Sequence, residues 1–527
     1  MSGNAVINFN IGLLGHVDSG KTTLARALSG IASTAAFDKN PQSRERGITL
    51  DLGFSALHMK APLHLLTDDS NINELQLTFV DCPGHASLIR TVIGGAQIVD
   101  MVILVVDALK GIQTQTAECI VIGELLCRKL IIAVNKIDMF EELGRDSVLK
   151  KLNISLRKRI EKTTFGPNVS IYNVSAQNGI GINKLLDGIC AEVYLPNRNI
   201  DLPFLLYVDH CFSVKGQGTV CTGTVIQGTI KVNDLVEIPA IGEKRKVKSI
   251  QRFRCPLQNA TAGDRIGVCL AQFNSKLLER GLLAQPRYLK PIYAACICLR
   301  HIPYYKEAIK SKSKFHVTVG HETLIAKVTL FRKPCEEIDG NSNSMFDIDG
   351  EYEYVDQIEV TTDVSGQVFA LLEFEVPILA KNDAILIASK LDMDVNTSRC
   401  RLAFWGNLQW FTYSSNYINE ILVHLKIFKC KLKEGFIHRV VNDKEVIVRN
   451  LFTKTGHRDS YIGKNITLST GEIGVIEGTF GQSCKVKIHL MNGISADTIN
   501  MLKGMKEVKV QLRFKKFIFN KQLKFIQ

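Results

Sequence analysis

GHVDSGKT at residues 15–22 is the stretch that decides the fold of this 527-residue chain. It matches G-x-x-x-x-G-K-[ST], a loop whose backbone N–H groups surround a polyphosphate while its lysine reaches the β- and γ-phosphates and its last hydroxyl binds Mg²⁺. An apolar run ending at Leu14 predicts a buried strand before the loop, and the pattern of residues 21–29 predicts a helix after it. Because N–H groups and the helix dipole then point at one spot, the arrangement favours an anion. The residues expected to bind phosphates are Asp18, Ser19, Gly20, Lys21, Thr22 and Thr23.

A second group of polar motifs predicts that the bound base is guanine. Asn135, Lys136 and Asp138 follow an apolar run that reads as another strand. A carboxylate at Asp138 can accept hydrogen bonds from two N–H groups of guanine that adenine does not present, which disfavours an ATPase. Ser175 and Ala176 follow the next predicted strand, where their backbone N–H groups can donate to the guanine oxygen. The expected ligands are therefore GTP and GDP.

A third group of residues fits Mg²⁺ and the terminal phosphate. Asp81 follows a predicted strand and, with Thr22 and Thr49, supplies oxygen atoms for Mg²⁺. The Gly84 N–H is placed to contact the γ-phosphate, and His85 next to it is placed to orient the attacking water. Loss of the γ-phosphate would release Thr49 and Gly84, which predicts a switch in two segments.

The order of strands and helices predicts the architecture. From Val6 to about residue 200 the two alternate, as in a doubly wound α/β sheet, and short strands separated by Gly, Asn and Pro follow, as in small barrels. We expect an α/β doubly wound P-loop GTPase domain followed by three β-barrel-like domains. The predicted boundaries are 1–200 for the first domain, 201–290 for the second, 291–407 for the third with an insertion at 336–356, 408–424 for a linker, and 425–527 for the fourth.

Composition argues against a membrane or secreted protein. The longest apolar runs, such as Met101–Val106, are too short to span a bilayer, and the N-terminus lacks the pattern of a secretory signal. The 14 cysteines show no C-x-x-C spacing, which argues against zinc ribbons and a disulfide framework. We expect a cytoplasmic protein with reduced thiols.

The charge of the chain is uneven. The formal net charge is +13, and from Lys431 to the end 18 lysines and arginines stand against 8 acidic residues. Such a basic segment predicts a polyanionic partner, most plausibly RNA. The alternative is that these are solvated surface lysines.

The motifs together resemble those of the translational GTPases. RGIT at 46–49, DCPGH at 81–85 and NKID at 135–138 all have that family's form, and residues 215–223 resemble the signature of its second-domain barrel. The resemblance implies that His85 acts once the ribosome positions it. It also implies that Val17 and Ile48 form a hydrophobic gate in front of the water.

A longer phrase, residues 33–54, is similar to the selenocysteine-specific branch of this family. That resemblance implies delivery of selenocysteinyl-tRNA to the ribosome at recoded UGA codons, with GTP hydrolysis releasing it. The alternatives are a general aminoacyl-tRNA or initiator-tRNA carrier and a scaffold that binds GTP without hydrolysing it. Intact Lys21, Thr22, Thr49, Asp81 and His85 argue against the scaffold.

Selection of selenocysteine over serine must act on the side chain if one tRNA carries both. A selenol is largely ionised near neutral pH and a hydroxyl is not, so a cationic pocket would prefer selenocysteine. The positions that match the family's aminoacyl pocket are Asp209, His210 and Arg265. We expect Arg265 and His210 to face the selenolate and Asp209 to orient them. The alternative is that Asp209 and His210 end a strand and Arg265 forms a surface ion pair.

The C-terminal segment resembles one subtype of the family. Residues 469–474 and 478–483 are similar to the archaeal and eukaryotic fourth domain, whereas bacterial members append winged-helix modules. The resemblance implies recruitment through a separate mRNA-hairpin-binding protein, with the basic tail touching tRNA or that partner. We expect the chain to be a monomer.

Overall fold

The computed structural model describes most of the chain. The described residues are 5–29, 31–32, 52–66, 72–84, 89–96, 98–142, 144–320, 322–334, 345–359, 367–392, 400–452, 458–480, 485–504, 506–520 and 526–527. Ile48, Thr49 and His85 lie outside them. The chain divides into two compact units, one of Met1–Val328, Ile358–Thr362 and Leu371–Ser414, the other of Thr329–Gln357, Asp363–Ala370 and Ser415–Gln527.

The first unit begins with a seven-stranded sheet in the order β2-β3-β4-β1-β5-β6-β7. Its strands are β1 (Ala5–Leu14), β2 (Ile31–Ala32), β3 (Gly53–Lys60), β4 (Ile72–Asp81), β5 (Met101–Asp107), β6 (Lys129–Asn135) and β7 (Ser170–Asn173). The helices are α1 (Lys21–Leu28), α2 (Ile89–Ala96), α3 (Thr114–Leu126), α4 (Arg145–Ile160) and α5 (Ile182–Glu192). Five neighbouring strands from β4 to β7 run parallel, and β3 is antiparallel to β4.

Helices cover both faces of this sheet because its central strands are apolar on both sides. Leu24, Leu185 and Ile189 pack with one face, and Ile93, Ile120 and Leu156 pack with the other. All of these side chains are buried. A parallel sheet needs such cover, which confirms the predicted doubly wound domain.

A β-barrel follows in the same unit. Its strands are β8 (Leu205–Val214), β9 (Gly218–Gln227), β10 (Thr229–Lys231), β11 (Leu235–Ile238), β12 (Glu243–Arg252), β13 (Cys255–Leu257), β14 (Asn259–Thr261), β15 (Arg265–Leu270) and β16 (Gly281–Ala284). The sheet runs β11-β16-β8-β9-β15-β12-β13, and pairing of β11 with β12 closes it. Alternate residues such as Leu206, Val236 and Val268 fill the interior.

The next segment is again built of strands. They are β17 (Ile292–Cys298), β18 (Arg300–His301), β19 (Ile309–Lys310), β20 (Lys314–Val319), β21 (Glu322–Arg332), β22 (Glu351–Val355), β23 (Gln357–Ile358), β24 (Val368–Ile378), β25 (Ile385–Ser389) and β26 (Leu402–Thr412). Within the first unit, β20 pairs with β21 and β25, and β26 pairs with β25 and β17. Strand β26 continues past residue 407, where the sequence pattern placed the start of a linker. Strand β22 lies inside the segment predicted as an insertion, of which residues 335–344 lie outside the described residues.

The second unit contains a closed barrel of its own. After the short helix α6 (Tyr417–Glu420) come β27 (Lys426–Asn442), β28 (Glu445–Arg449), β29 (Asn465–Leu468), β30 (Ile473–Phe480), β31 (Lys485–Leu490), helix α7 (Ala496–Lys503) and β32 (Lys509–Phe517). The strands run β27-β28-β31-β30-β29-β32, and β32 pairs back onto β27. The basic C-terminal segment is therefore β, as its alternation predicts. Across the described ranges, no helix is long and apolar enough to cross a membrane.

Candidate functional site

The phosphate loop joins β1 to α1 at the carboxyl end of the parallel strands. Gly15 (φ +152°) and Gly20 (φ +91°) take backbone conformations that favour glycine, and Asp18 is also left-handed (φ +59°). A Cβ on Gly15 would collide with the Val105 carbonyl, and one on Gly20 with the Asn135 amide. The glycines of the motif are therefore required by close packing against β5 and β6.

Lys21 lies at the centre of this loop. Its side chain is buried, and its Nζ donates to the His16 carbonyl at 2.8 Å. Burial lowers the pKa of Lys21, and the charge of Asp81 opposes that shift. Gly84 packs directly on this lysine: an added Cβ would collide with Nζ and stand 2.8 Å from the Val17 nitrogen. The structure thus brings the DCPG segment against the phosphate loop, as predicted.

Thr22 and Asp81 meet next to Lys21. The Thr22 hydroxyl donates to Asp81 Oδ2 at 2.6 Å, although the two residues are 59 positions apart. A hydroxyl and a carboxylate are hard oxygen ligands of the kind Mg²⁺ prefers. The donor set therefore fits a magnesium ion, with Thr22 and Asp81 holding it.

Asn135 connects the loop to the base end of the site. Its Nδ2 donates to the Ser19 carbonyl at 3.0 Å, and its Oδ1 accepts from the Ala176 N–H at 3.0 Å. The Ser175 N–H donates to the Ile180 carbonyl at 2.9 Å. Both N–H groups expected to reach the guanine oxygen therefore already donate within the protein, and binding the base through them would require an exchange of partners. Asp138 lies half-buried in a short 3-10 helix at the same end.

Asp107 is a residue of this site that the sequence reasoning missed. It ends β5, and its Oδ2 accepts from Lys136 Nζ at 2.8 Å while Oδ1 accepts from the Leu109 N–H at 2.9 Å. Burial raises the pKa of Asp107, but the bonds from Lys136 and Leu109 outweigh it and the net pKa is lowered. This carboxylate holds the side chain of Lys136, a residue with a left-handed backbone (φ +69°) directly after β6. Its place at the end of a strand was the available signal.

The second predicted site lies on the first barrel. A register shift between Val208 and His210 leaves Asp209 outside the regular pairing of β8 with β9. Arg265 begins β15, on the other side of β9, and its Nη1 donates to Asp209 Oδ2. The Arg265 and Asp209 side chains are only 5% and 9% exposed. The ion pair is therefore buried, so the alternative of a surface ion pair is wrong.

Phe54 is the second residue that the sequence reasoning missed. The guanidinium carbon of Arg265 lies 3.2 Å from the centroid of the Phe54 ring. Phe54 is buried in β3, where it pairs with Val80, and its neighbour Gly53 pairs with Asp81. One end of β3 therefore contacts both Asp81 and Arg265. His210, the residue after Asp209 in the chain, is half-buried.

Comparison with known families matches the architecture segment by segment. Residues 7–194 match the Elongation factor Tu GTP binding domain and 218–282 match Elongation factor Tu domain 2. Residues 296–406 match the third domain of the eukaryotic selenocysteine-specific elongation factor, and 423–523 match the eEFSec C-terminal RIFT domain. The fourth match agrees with the predicted archaeal and eukaryotic subtype.

Whole-chain relatives agree with these segments. The selenocysteine-specific elongation factor of Mus musculus is 42% identical, with 99% of both chains covered. That of Methanocaldococcus jannaschii is 32% identical over 90% of this chain and 92% of its own. The crystal structure of translation elongation factor SelB from Methanococcus maripaludis with GppNHp superposes with a TM-score of 0.72 at 26% identity, covering 97% of this chain and 99% of that one. The chain belongs to the selenocysteine-specific elongation factor family of translational GTPases.

Proposed function

We propose that this chain binds GTP with Mg²⁺, delivers selenocysteinyl-tRNA to the ribosome at recoded UGA codons, and releases it when GTP is hydrolysed. The observation that carries the proposal is the buried guanidinium of Arg265, which lies between the Asp209 carboxylate and the Phe54 ring. It is a cation held on the barrel within reach of the nucleotide domain, as a pocket for an anionic side chain requires. Family membership supports this cargo over that of a general aminoacyl-tRNA or initiator-tRNA carrier.

In the nucleotide site, Lys21 neutralises the β- and γ-phosphates and Asp138 reads guanine. Thr22, Asp81 and Thr49 would hold Mg²⁺, which would supply charge neutralisation at the terminal phosphates. The Gly84 N–H donates to the γ-phosphate. We assign His85 to orienting the water in the ribosome-bound complex, and Val17 and Ile48 to the gate in front of it.

In the aminoacyl pocket, selenocysteine is selected over serine by competing with Asp209 for the hydrogen-bond donors of Arg265. Arg265 is already neutralised by Asp209, so a neutral serine hydroxyl gains little from approaching it. A selenolate can take a share of the guanidinium donors, because Arg has five N–H groups in a fixed fork. His210 supplies a further donor at the rim. Asp209 orients the guanidinium and keeps its charge compensated while the pocket is empty.

The test is a binding comparison on one tRNA body. Selenocysteinyl- and seryl-tRNA are titrated against the GTP-bound and GDP-bound chain, and we expect preference for the selenium form only with GTP. Arg265→Ala should abolish that preference and leave GTP affinity unchanged. The matched control is Arg252→Ala, which breaks another ion pair of the same barrel, with Asp264. Equal binding of both tRNAs by the unmodified GTP form would refute the proposal.

The barrel of the second unit carries the basic C-terminal segment of the chain. We assign its basic strands to contact with tRNA or with an mRNA-hairpin-binding protein, and the chain to the cytoplasm as a monomer. Charge reversal at exposed lysines of β27 and β32 should weaken complex formation with either RNA or that protein, while GTP binding stays normal.

A further inference from the structure

Two cysteines of the first barrel face each other across neighbouring strands. Cys211 of β8 pairs directly with Cys221 of β9, and their Sγ atoms are 3.5 Å apart. Directly opposed residues of antiparallel strands have Cα atoms about 4.5–5.5 Å apart. That range lies within the Cα separations that disulfides span, and a disulfide bond itself measures about 2.05 Å. Oxidation therefore requires the two sulfur atoms to approach by about 1.5 Å, which a small shift of β8 toward β9 can provide without a change of fold.

The two thiols differ in access and acidity. Cys211 is half-buried at the edge of the barrel core, whereas Cys221 is completely buried within it. The Sγ–H of Cys221 donates to Cys211, which lowers the pKa of Cys211, while that same bond and burial raise the pKa of Cys221. Cys211 is therefore both the more accessible and the more acidic of the two thiols. These are the properties of the attacking cysteine in thiol exchange, and Cys221 would be the resolving cysteine.

The pair stands next to the aminoacyl pocket. Cys211 directly follows His210, and Cys221 directly precedes Thr222, whose hydroxyl donates to the His210 carbonyl at 3.5 Å. The register shift between Val208 and His210 lies immediately before this pair. Because Cys221 is fixed in the core, closing the sulfur atoms would draw β8 toward the interior at His210.

We propose that Cys211 and Cys221 form a reversible redox site, which a small disulfide of the glutathione type converts into an intramolecular disulfide. The Cys211 thiolate attacks one sulfur of oxidised glutathione, so a mixed disulfide forms and one glutathione thiolate leaves. Cys221 then attacks the Cys211 sulfur and passes its proton to the departing sulfur, so the second glutathione leaves as a thiol. Two protein thiols are oxidised and one glutathione disulfide is reduced to two thiols.

Oxidation of this site also regulates the binding of selenocysteinyl-tRNA, a consequence that rests on the proposed function. Movement of His210 and of the Asp209 bulge disturbs the carboxylate that orients Arg265. We therefore expect the oxidised chain to bind selenocysteinyl-tRNA more weakly, by about fivefold or more, the usual lower range of coupling between two sites.

The first experiment maps the oxidation in the full chain. The reduced protein is incubated with oxidised glutathione, blocked and digested with trypsin, which cuts after Lys215 and so separates the two cysteines. We expect the peptides 199–215 and 216–231 to appear linked, and to separate on reduction. Cys221→Ser should accumulate glutathione on Cys211, Cys211→Ser should leave Cys221 unmodified, and Cys255→Ser, at an exposed cysteine of the same barrel, should retain the link. Glutathione on Cys255 with Cys211 and Cys221 both still reduced would overturn the proposal.

The second experiment measures the effect on cargo. Oxidised protein, freed of glutathione, is kept in large excess over selenocysteinyl-tRNA so that the selenol can reduce only a small fraction of it. Weaker binding that dithiothreitol restores, and that Cys211→Ser does not show, supports the coupling, and unchanged binding refutes it. If the reduced protein fails to bind selenocysteinyl-tRNA, the proposed function fails, while the linked peptides still decide whether the redox site exists.

Discussion

Glu118 and Arg401 form a buried, doubly hydrogen-bonded ion pair. Arg401 donates from Nε at 3.0 Å and from Nη2 at 2.8 Å to the two oxygens of Glu118, and both side chains are 5% exposed. Glu118 lies on α3 of the nucleotide domain, and Arg401 directly precedes β26. This pair therefore joins the doubly wound domain to the third segment within the first unit.

Removal of one partner of that pair should strongly destabilise the folded chain. We expect Glu118→Ala to lower the free energy of unfolding by about 3–5 kcal/mol, because the Arg401 charge stays buried without its carboxylate. Urea unfolding followed by fluorescence measures the change. The control is Glu192→Ala, which breaks the exposed pair with Lys129 and should cost less than about 1 kcal/mol. Equal effects of the two variants would contradict the prediction.

Gly84→Ala should lower the affinity for GTP more than the affinity for GDP. The new methyl group would press on Lys21 and the Val17 backbone, where we propose that the γ-phosphate binds, so we expect GTP affinity to fall by about tenfold or more and GDP affinity to change little. Competition with a fluorescent guanine nucleotide measures both constants. Gly478→Ala, at a position with open space, serves as the control. A parallel loss of both nucleotides would argue against contact between Gly84 and the γ-phosphate.

Asn135→Ala should lower the affinity for GTP and the affinity for GDP to the same extent. The substitution leaves the Ser19 carbonyl and the Ala176 N–H without their side-chain partner, at about 1–3 kcal/mol for each buried group. We therefore expect a loss of about 30-fold or more for GTP and for GDP in the same titration. Asn153→Ala, which removes a longer bond of 3.4 Å to Asn173, should leave both affinities intact. A loss confined to GTP would place Asn135 at the γ-phosphate instead.

Glu472 should stabilise the barrel of the second unit near neutral pH and lose this effect in acid. Burial raises its pKa, but hydroxyl bonds from Ser495, Thr470 and Thr498 outweigh that effect and lower the pKa to about 2. A depressed pKa stabilises the fold above the unfolded value of about 4.5, and this contribution is lost as the pH falls from there toward 2. We expect Glu472→Gln to remove about 1–2 kcal/mol at pH 6.5 and less at pH 3.

Hydrogen exchange of the α7 amides, which follow Ser495, reports this contribution locally. The control is Glu477→Gln, a carboxylate that is 40% exposed and should contribute little at either pH. If Glu472→Gln destabilises α7 equally at both pH values, the carboxylate charge is not the source of the stability.

The sequence predicted the nucleotide site because its motifs are short, contiguous and placed at the ends of apolar strands. Loops at the carboxyl ends of parallel strands share one edge of the sheet, so the sequence alone leads us to expect that Thr22 and Asp81 lie close together. Strand ends were less predictable. β4 begins at Ile72, although polar residues interrupt the apolar pattern near its start. β26 continues to Thr412.

By itself, the sequence determined the α/β domain followed by β-barrels and the motifs of the translational GTPases, because hydrophobic periodicity and loop motifs are properties of neighbouring residues. Only the tertiary structure decided that Arg265 is buried against Asp209 and Phe54, that Glu118 meets Arg401 across 283 positions, and that Cys211 faces Cys221. Those contacts depend on how barrel and sheet pack and on strand register, and a register shift of a single residue at Asp209 changes which side chains meet. No local propensity encodes that choice.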